Sequence, residues 1–356
     1  MRLKASIVFL GMCFSQLSLA EEVKVVATIK PLQLLAADIV GDTGRVDVLI
    51  PPGASPHHYS MKPSDRRKLD EAGLVAWVGP DLETFLVKTL SHSSAPIVAM
   101  MADEAENDHA DEGHEGHGGH TDHDDHKEEH ASHHDEHETE KHHGHDEHHE
   151  GEKHHDHAEH ADHHEDEKHD AHEEHAGHDH GHDHDSDPHL WLDPIFGLKY
   201  GKQLSEALSA RYPAHADQFK ANFQRLEAEV LSLDKELKQT FKPLQDKGFF
   251  VFHDAWGHFV GHYGLKQLGY FTVDPGRKPG AKHMQEIRNT LESQNATCVF
   301  SEPQFKPSII RAVTSGLDVR SGELDPLAID VSVQKNGYAV FLRGTGEKFS
   351  RCLSEI

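Results

Sequence analysis

Imidazole is the functional group this sequence holds in excess. Of 37 histidines, 28 fall between His109 and His184. Acids run between them: residues 103–187 hold 33 Asp and Glu against four lysines, Lys127, Lys141, Lys153 and Lys168. Such runs bind borderline metals through many interchangeable imidazoles, and the interleaved carboxylates attract cations. The tract has no apolar periodicity. It cannot bury enough surface to offset the entropy of ordering, which predicts a disordered segment binding several ions weakly.

Nine histidines lie outside the tract, and three stand where a site would be built. His57 lies in PPGASPHHYS, after an apolar strand over 46–50. His189 lies in PHLWLDP, where order resumes, and His253 follows an apolar strand over 249–252 in FFVFHDAW. Loops beyond the carboxyl ends of strands are where α/β lobes gather ligand groups. Three neutral imidazoles suit Zn²⁺, with a water or a carboxylate in the fourth place. Asp325, in ELDPL, is the carboxylate candidate. Isolated histidines also occur as satisfied core or surface groups, and spacing alone leaves both readings open. His258 and His262 are i, i+4 on a helix, but Phe259, Val260 and Gly261 separate them, so the Glu of a zinc hydrolase is missing. They read as helix-surface residues. His92, His215 and His283 sit in polar contexts and read as solvated. No nucleophile elbow, phosphate loop or dinucleotide fingerprint is present.

The elements that position these groups follow from the apolar pattern. Strands over 23–28, 46–50, 74–78 and 97–101 alternate with helical stretches, one running to Gly41 and one from an N-cap at Ser64 to Ala72. This predicts a parallel α/β lobe. Beyond the tract, a helix is expected over 194–212. Phe219, Phe223, Leu226, Val230, Leu233, Leu237 and Phe241 then recur at intervals of 4, 3, 4, 3, 4 and 4. That is one apolar stripe on a long helix between Pro213 and Pro243. A second α/β run follows, with strands over 249–252, 265–271, 297–301 and 318–320, and helices from Ala255 and over 280–294 and 307–316. The predicted plan is a leader (1–20), a first lobe (21–212) interrupted by the tract, a linker helix (213–243) and a second lobe (244–356).

Charge and address narrow the function. The net charge of -27 belongs to the tract, since outside it 29 acids face 31 bases. No basic field for nucleic acid remains. Past the N-terminus no apolar run approaches the roughly 20 residues a membrane span needs. Arg2 and Lys4, an apolar stretch to Phe14 and Ser18-Leu19-Ala20 read as a secretory signal cleaved after Ala20. Cleavage removes Cys13 and leaves Cys298 and Cys352, an even pair that favours a disulfide in an exported chain.

The stretches IKPLQLLAADIVG, PPGASPHHYSMKPSD, VAWVGPDLETFL, HLWLDP, FVFHDAWGHF, LGYFTVDPGRKPGA, ATCVFSEPQFKPSIIRAV and LDPL, with Cys352 near the end, together resemble the metal-binding solute-binding proteins of ABC transporters, and most closely their zinc branch. The acidic, His-rich insertion is a habit of that branch. The resemblance implies two α/β lobes with parallel sheets joined by one long helix, and a metal in the cleft between them. It implies His57, His189 and His253 as ligands, with Asp325 or water fourth. Pro56 stands where some members carry a further Glu ligand. Three histidines favour zinc over manganese. The implied role is a monomeric periplasmic carrier that passes Zn²⁺ to a membrane permease and its ATPase, with the tract as auxiliary chelator or sensor. The resemblance implies no enzymatic activity. The rival readings are a zinc hydrolase using Asp254 or Glu302 as general base, and a zinc buffer or adhesin that meets no permease. The single linking helix argues against a large hinge closure.

Overall fold

The computed structural model describes residues 21–101 and 187–354, apart from 274–275, 277–278 and 306–307. The expected leader lies outside these residues, and so does the tract except for Asp187.

Two parallel four-stranded sheets carry the fold. The first has the order β2 (Gly44–Val48), β1 (Val23–Ala27), β3 (Leu74–Trp77), β4 (Ile97–Ala99). The second has the order β6 (Lys266–Thr272), β5 (Gly248–His253), β7 (Cys298–Ser301), β8 (Arg320–Glu323). The second sheet repeats the strand order of the first. In each, the chain crosses to both sides of its first strand, so the switch point lies at the carboxyl ends of β1 and β5.

Side-chain parity shows how each sheet is covered. Val23, Val25 and Ala27 of β1 join one core cluster, while Val26 joins another. Phe249 and Val251 of β5 join that same first cluster, while Phe250 and Phe252 face a third. Strands buried on both faces must read as continuous apolar runs, as VKVVA and GFFVF do. The outer faces are covered by α2 (Pro63–Asp70) and α3 (Val87–Leu90) in one lobe, and by α7 (Ala281–Ser293) and α8 (Ser308–Thr314) in the other. The inner faces share one cluster with α1 (Lys30–Val40), α4 (Pro194–Arg211), α5 (Ala216–Phe241), α6 (Gly257–Tyr263) and α9 (Gly337–Leu353).

The long helix is α5. Its 26 residues span about 39 Å at 1.5 Å per residue. Phe219, Leu226, Val230, Leu233, Leu237 and Phe241 are buried, and Phe223 packs against them in part. The lobes also meet directly. Asp38 of α1 accepts hydrogen bonds from the backbone N–H groups of Asn336 and Tyr338, so a residue of the first lobe caps the last helix of the second. Trp191 donates its indole N–H to the Pro326 carbonyl at 2.7 Å. Among the described residues no helix is long and apolar enough to cross a membrane.

One local expectation is corrected and one element is added. Ser64 is not the N-cap of α2; the helix starts at Pro63, with Lys62 at the cap position and Asp65 reaching back to the Lys62 N–H at 2.8 Å. Proline at the first helical position loses no hydrogen bond there, which moves the start forward. Helix α9 was not expected at all.

Glu83 sits with no exposed surface beside the end of β3. One carboxylate oxygen accepts from Val78 N at 2.9 Å and Gly79 N at 3.3 Å. Burial pushes its pKa from 4.5 up to about 7, against the pull of those hydrogen bonds. The folded chain thus keeps a proton that the unfolded chain releases across that window. The contribution is complete below pH 4.5 and is lost as pH rises through about 7. Glu83→Gln removes this dependence. Its stability relative to the native chain is expected to climb by about 3 kcal/mol from pH 4.5 to 7.5. Urea unfolding at both pH values tests it, and parallel pH profiles for the two proteins would sink it.

Candidate metal centre

His253 is the last residue of β5 and shares the parity of Phe249 and Val251, so it points into the shared side of the sheet. Its side chain is only 5% exposed. His189 stands just before the 3₁₀ turn Leu190–Leu192 and is buried. That turn is held from behind. Asp193 caps α4 by accepting from Ile195 N at 2.6 Å and Phe196 N at 3.3 Å, Pro194 occupies the first helical position, and Tyr338 donates its hydroxyl to the Trp191 carbonyl at 2.8 Å. His57 lies in the 3₁₀ turn Pro56–His58 after β2 and is half-buried, whereas its neighbour His58 is exposed.

The three rings converge. One nitrogen from each of His57, His189 and His253 lies within 4.8 Å of the other two. Ring centroids are 5.5 Å apart for His57–His189, 5.3 Å for His57–His253 and 4.9 Å for His189–His253. The cavity they line is about 20 Å³, room for one ion or water, and Trp191, Phe305 and Leu327 form its apolar wall. Neither ring nitrogen of His253 has a hydrogen-bond partner among the described residues. A buried imidazole with both nitrogens unsatisfied is costly unless a metal accepts its lone pair. The donor set suits Zn²⁺ or another borderline cation.

Two carboxylates flank the rings. Asp187 Oδ1 lies 2.6 Å from His189 Nδ1, and Glu302 Oε1 lies 3.6 Å from His253 Nδ1. Burial lowers the pKa of His189, outweighing the pull of Asp187 in the other direction, so its ring is neutral and ready to bind a cation at neutral pH. Burial would raise Asp187, but its hydrogen bonds to His189 and the nearby imidazoles hold it below the usual carboxylate range.

Asp325 is not brought into the three-histidine group. It lies in the loop after β8, where its oxygens accept from Leu327 N at 3.0 Å, from Ile329 N and from the Gln304 amide at 3.3 Å. His258 and His262 are not helix-surface residues, because partners distant in sequence bury them. His258 donates to the Asp187 carbonyl at 2.9 Å. His262 bridges Asp234 of α5 at 2.7 Å and Asp193 at 3.3 Å. Burial opposes its charge, yet these two carboxylates raise its pKa above the ordinary value. Sequence reasoning missed Asp187, one acid within an acidic run, and weighed Glu302 only as a general base. Cys298 of β7 and Cys352 of α9 form a disulfide.

Residues 25–352 match the family model described as zinc-uptake complex component A, periplasmic. The high-affinity zinc uptake system protein ZnuA of Haemophilus influenzae is 38% identical over 331 residues, 93% of this chain and 93% of the relative. That of Yersinia pestis is 34% identical over 329 residues, 92% of this chain and 91% of the relative. A crystal structure of ZnuA superposes with a TM-score of 0.65 at 22% identity, covering 94% of this chain and 100% of the other, a likeness of fold. With a match along nearly its whole length and relatives above 30% identity over nine-tenths of both chains, this chain belongs to the periplasmic zinc-uptake component A family.

Proposed function

We propose that this chain captures Zn²⁺ in the periplasm and delivers it to the membrane permease of a zinc ABC importer, whose ATPase drives uptake. The observation that carries this reading is the convergence of three buried or half-buried imidazoles on a cavity of one-ion size. His57, His189 and His253 hold the ion. The fourth position falls to water unless Asp325 releases the Leu327 and Ile329 amides. A carrier needs a shielded ion and no substrate pocket, and a cavity this small supports transport over hydrolysis. Glu302 sits on the Nδ1 side of His253, 3.6 Å away and beyond hydrogen-bond reach. The chain acts as a monomer, with residues 1–20 removed after Ala20 and the 103–187 tract as auxiliary chelator. The cap that Asp38 provides across the lobes supports small tilts over wide closure.

Growth in chelated medium tests the role. A strain lacking this protein should recover with the native chain and not with His253→Ala. A chain without the tract should recover fully except at the lowest zinc. Equal recovery with His253→Ala would end the transport reading, and unimpaired uptake without the tract at every zinc level would end the tract's part in capture.

Affinity should also depend on pH with a defined sign. Protons compete with zinc for each imidazole. Because burial holds the His189 pKa below 6.5, its ring is less than half protonated at that pH and above. Zinc competition titrations should therefore show less than a twofold loss from His189 between pH 8 and 6.5 and a growing loss at lower pH. A loss of more than twofold already present at pH 7, and abolished by His189→Ala, would contradict this.

A further inference from the structure

The structure assigns Asp187 as the positioning residue of the zinc site: it locks His189 in the tautomer that offers Nε2 to the ion, and His258 holds Asp187 in place. This inference rests on the three-imidazole reading above. One Asp187 oxygen accepts twice from the same residue, from the His189 backbone N–H at 3.0 Å and from the ring Nδ1–H at 2.6 Å. The second distance is that of a strong, charge-assisted hydrogen bond. It places the ring proton on Nδ1 and leaves the Nε2 lone pair for a metal.

The carboxylate is itself anchored. Its side chain is 16% exposed. His258 of α6 donates Nε2–H to the Asp187 carbonyl at 2.9 Å, and that nitrogen lies 3.9 Å from Oδ2. The His258 ring is 9% exposed and meets Phe196 of α4 edge-on, with centroids 5.4 Å apart. Pro188 separates Asp187 from His189, and its fixed φ stiffens the two-residue bridge. The second lobe, through α6, thus sets the orientation of a ligand that belongs to the segment entering α4.

The flanking carboxylates differ in kind. Glu302 stands 3.6 Å from His253 Nδ1, beyond hydrogen-bond reach, and neither nitrogen of His253 is bonded among the described residues. His189 is oriented before zinc arrives, while His253 is left to turn onto the ion. Outer carboxylates of this type are worth about 10- to 100-fold in metal affinity.

The test uses the full mature chain, zinc alone as probe, a competing chelator, and ¹⁵N NMR of the zinc-free His189 ring assigned against His189→Ala. The native ring should carry its proton on Nδ1. Asp187→Ala should weaken zinc binding about 10- to 100-fold and mix the tautomers. Asp187→Asn keeps an oxygen acceptor and should retain the tautomer with a smaller loss. His258→Ala should cost several-fold, and His258→Gln, which can still donate to the carbonyl, should restore it. A native ring protonated on Nε2, or Asp187→Ala within twofold of native affinity, would overturn the assignment. His189→Ala with native affinity would instead defeat the zinc-site reading itself.

Discussion

Replacing His189 or His253 by alanine is expected to weaken zinc binding by two to three orders of magnitude, and His57→Ala by a comparable factor. A structural zinc site at neutral pH is worth roughly 10–16 kcal/mol, so one of four ligands accounts for about 2.5–4 kcal/mol. Little of the cavity wall can replace a lost ligand, since Trp191, Phe305 and Leu327 are apolar and the Asp325 oxygens are already bonded to backbone; Glu302, beside His253, is the carboxylate that lines it. Asp325→Ala should therefore cost less than any of the three. His262→Ala should leave the affinity near native and lower stability, since Asp193 and Asp234 lose the cation between them. Competition with a chelator of known affinity reads all five variants. Equal losses across the set would mean that the proposed coordination is wrong.

Loss of the Cys298–Cys352 bond is expected to be the largest single change in stability. It closes a loop of sequence separation 54 and ties β7 to the last turn of α9. The chain-entropy model assigns such a loop about 4 kcal/mol, acting through the unfolded state. In the folded state α9 has other support: Phe349 stacks on Phe259 at 5.0 Å and meets Phe241, Phe249 and Trp256 edge-on. The reduced chain should therefore keep its fold and melt roughly 10 °C lower. Melting of the zinc-free protein with and without a phosphine reductant measures this. An unchanged midpoint, with both thiols shown to be alkylated, would contradict it.

Particular residues show what sequence alone can carry. The seven-position stripe of α5 was legible because a half-buried helix writes its own period. The strands were legible as apolar runs because both sheet faces are covered. Helix α9 was not, although Tyr338, Phe341, Leu342, Phe349, Cys352 and Leu353 lie on its buried face. A Cβ on Gly346 would stand 2.4 Å from Leu237, so glycine there lets α9 approach α5. The histidines divide along the same line. His57, His189 and His253 could be singled out by their places after strands and at the return of order, and the family resemblance named them together. His258 and His262 could not be placed, because Asp187, Asp193 and Asp234 reach them only through the fold. Asp187 was hidden in plain composition, the last of 33 acids in a tract whose charge looked uniform.

The central claim is that zinc sits between three named rings, and anomalous diffraction at the zinc edge from crystals of the zinc-loaded chain tests it most directly. The account predicts the strongest anomalous peak about 2.0–2.1 Å from one nitrogen each of His57, His189 and His253. The strongest peak elsewhere, with those three rings unligated, would contradict it.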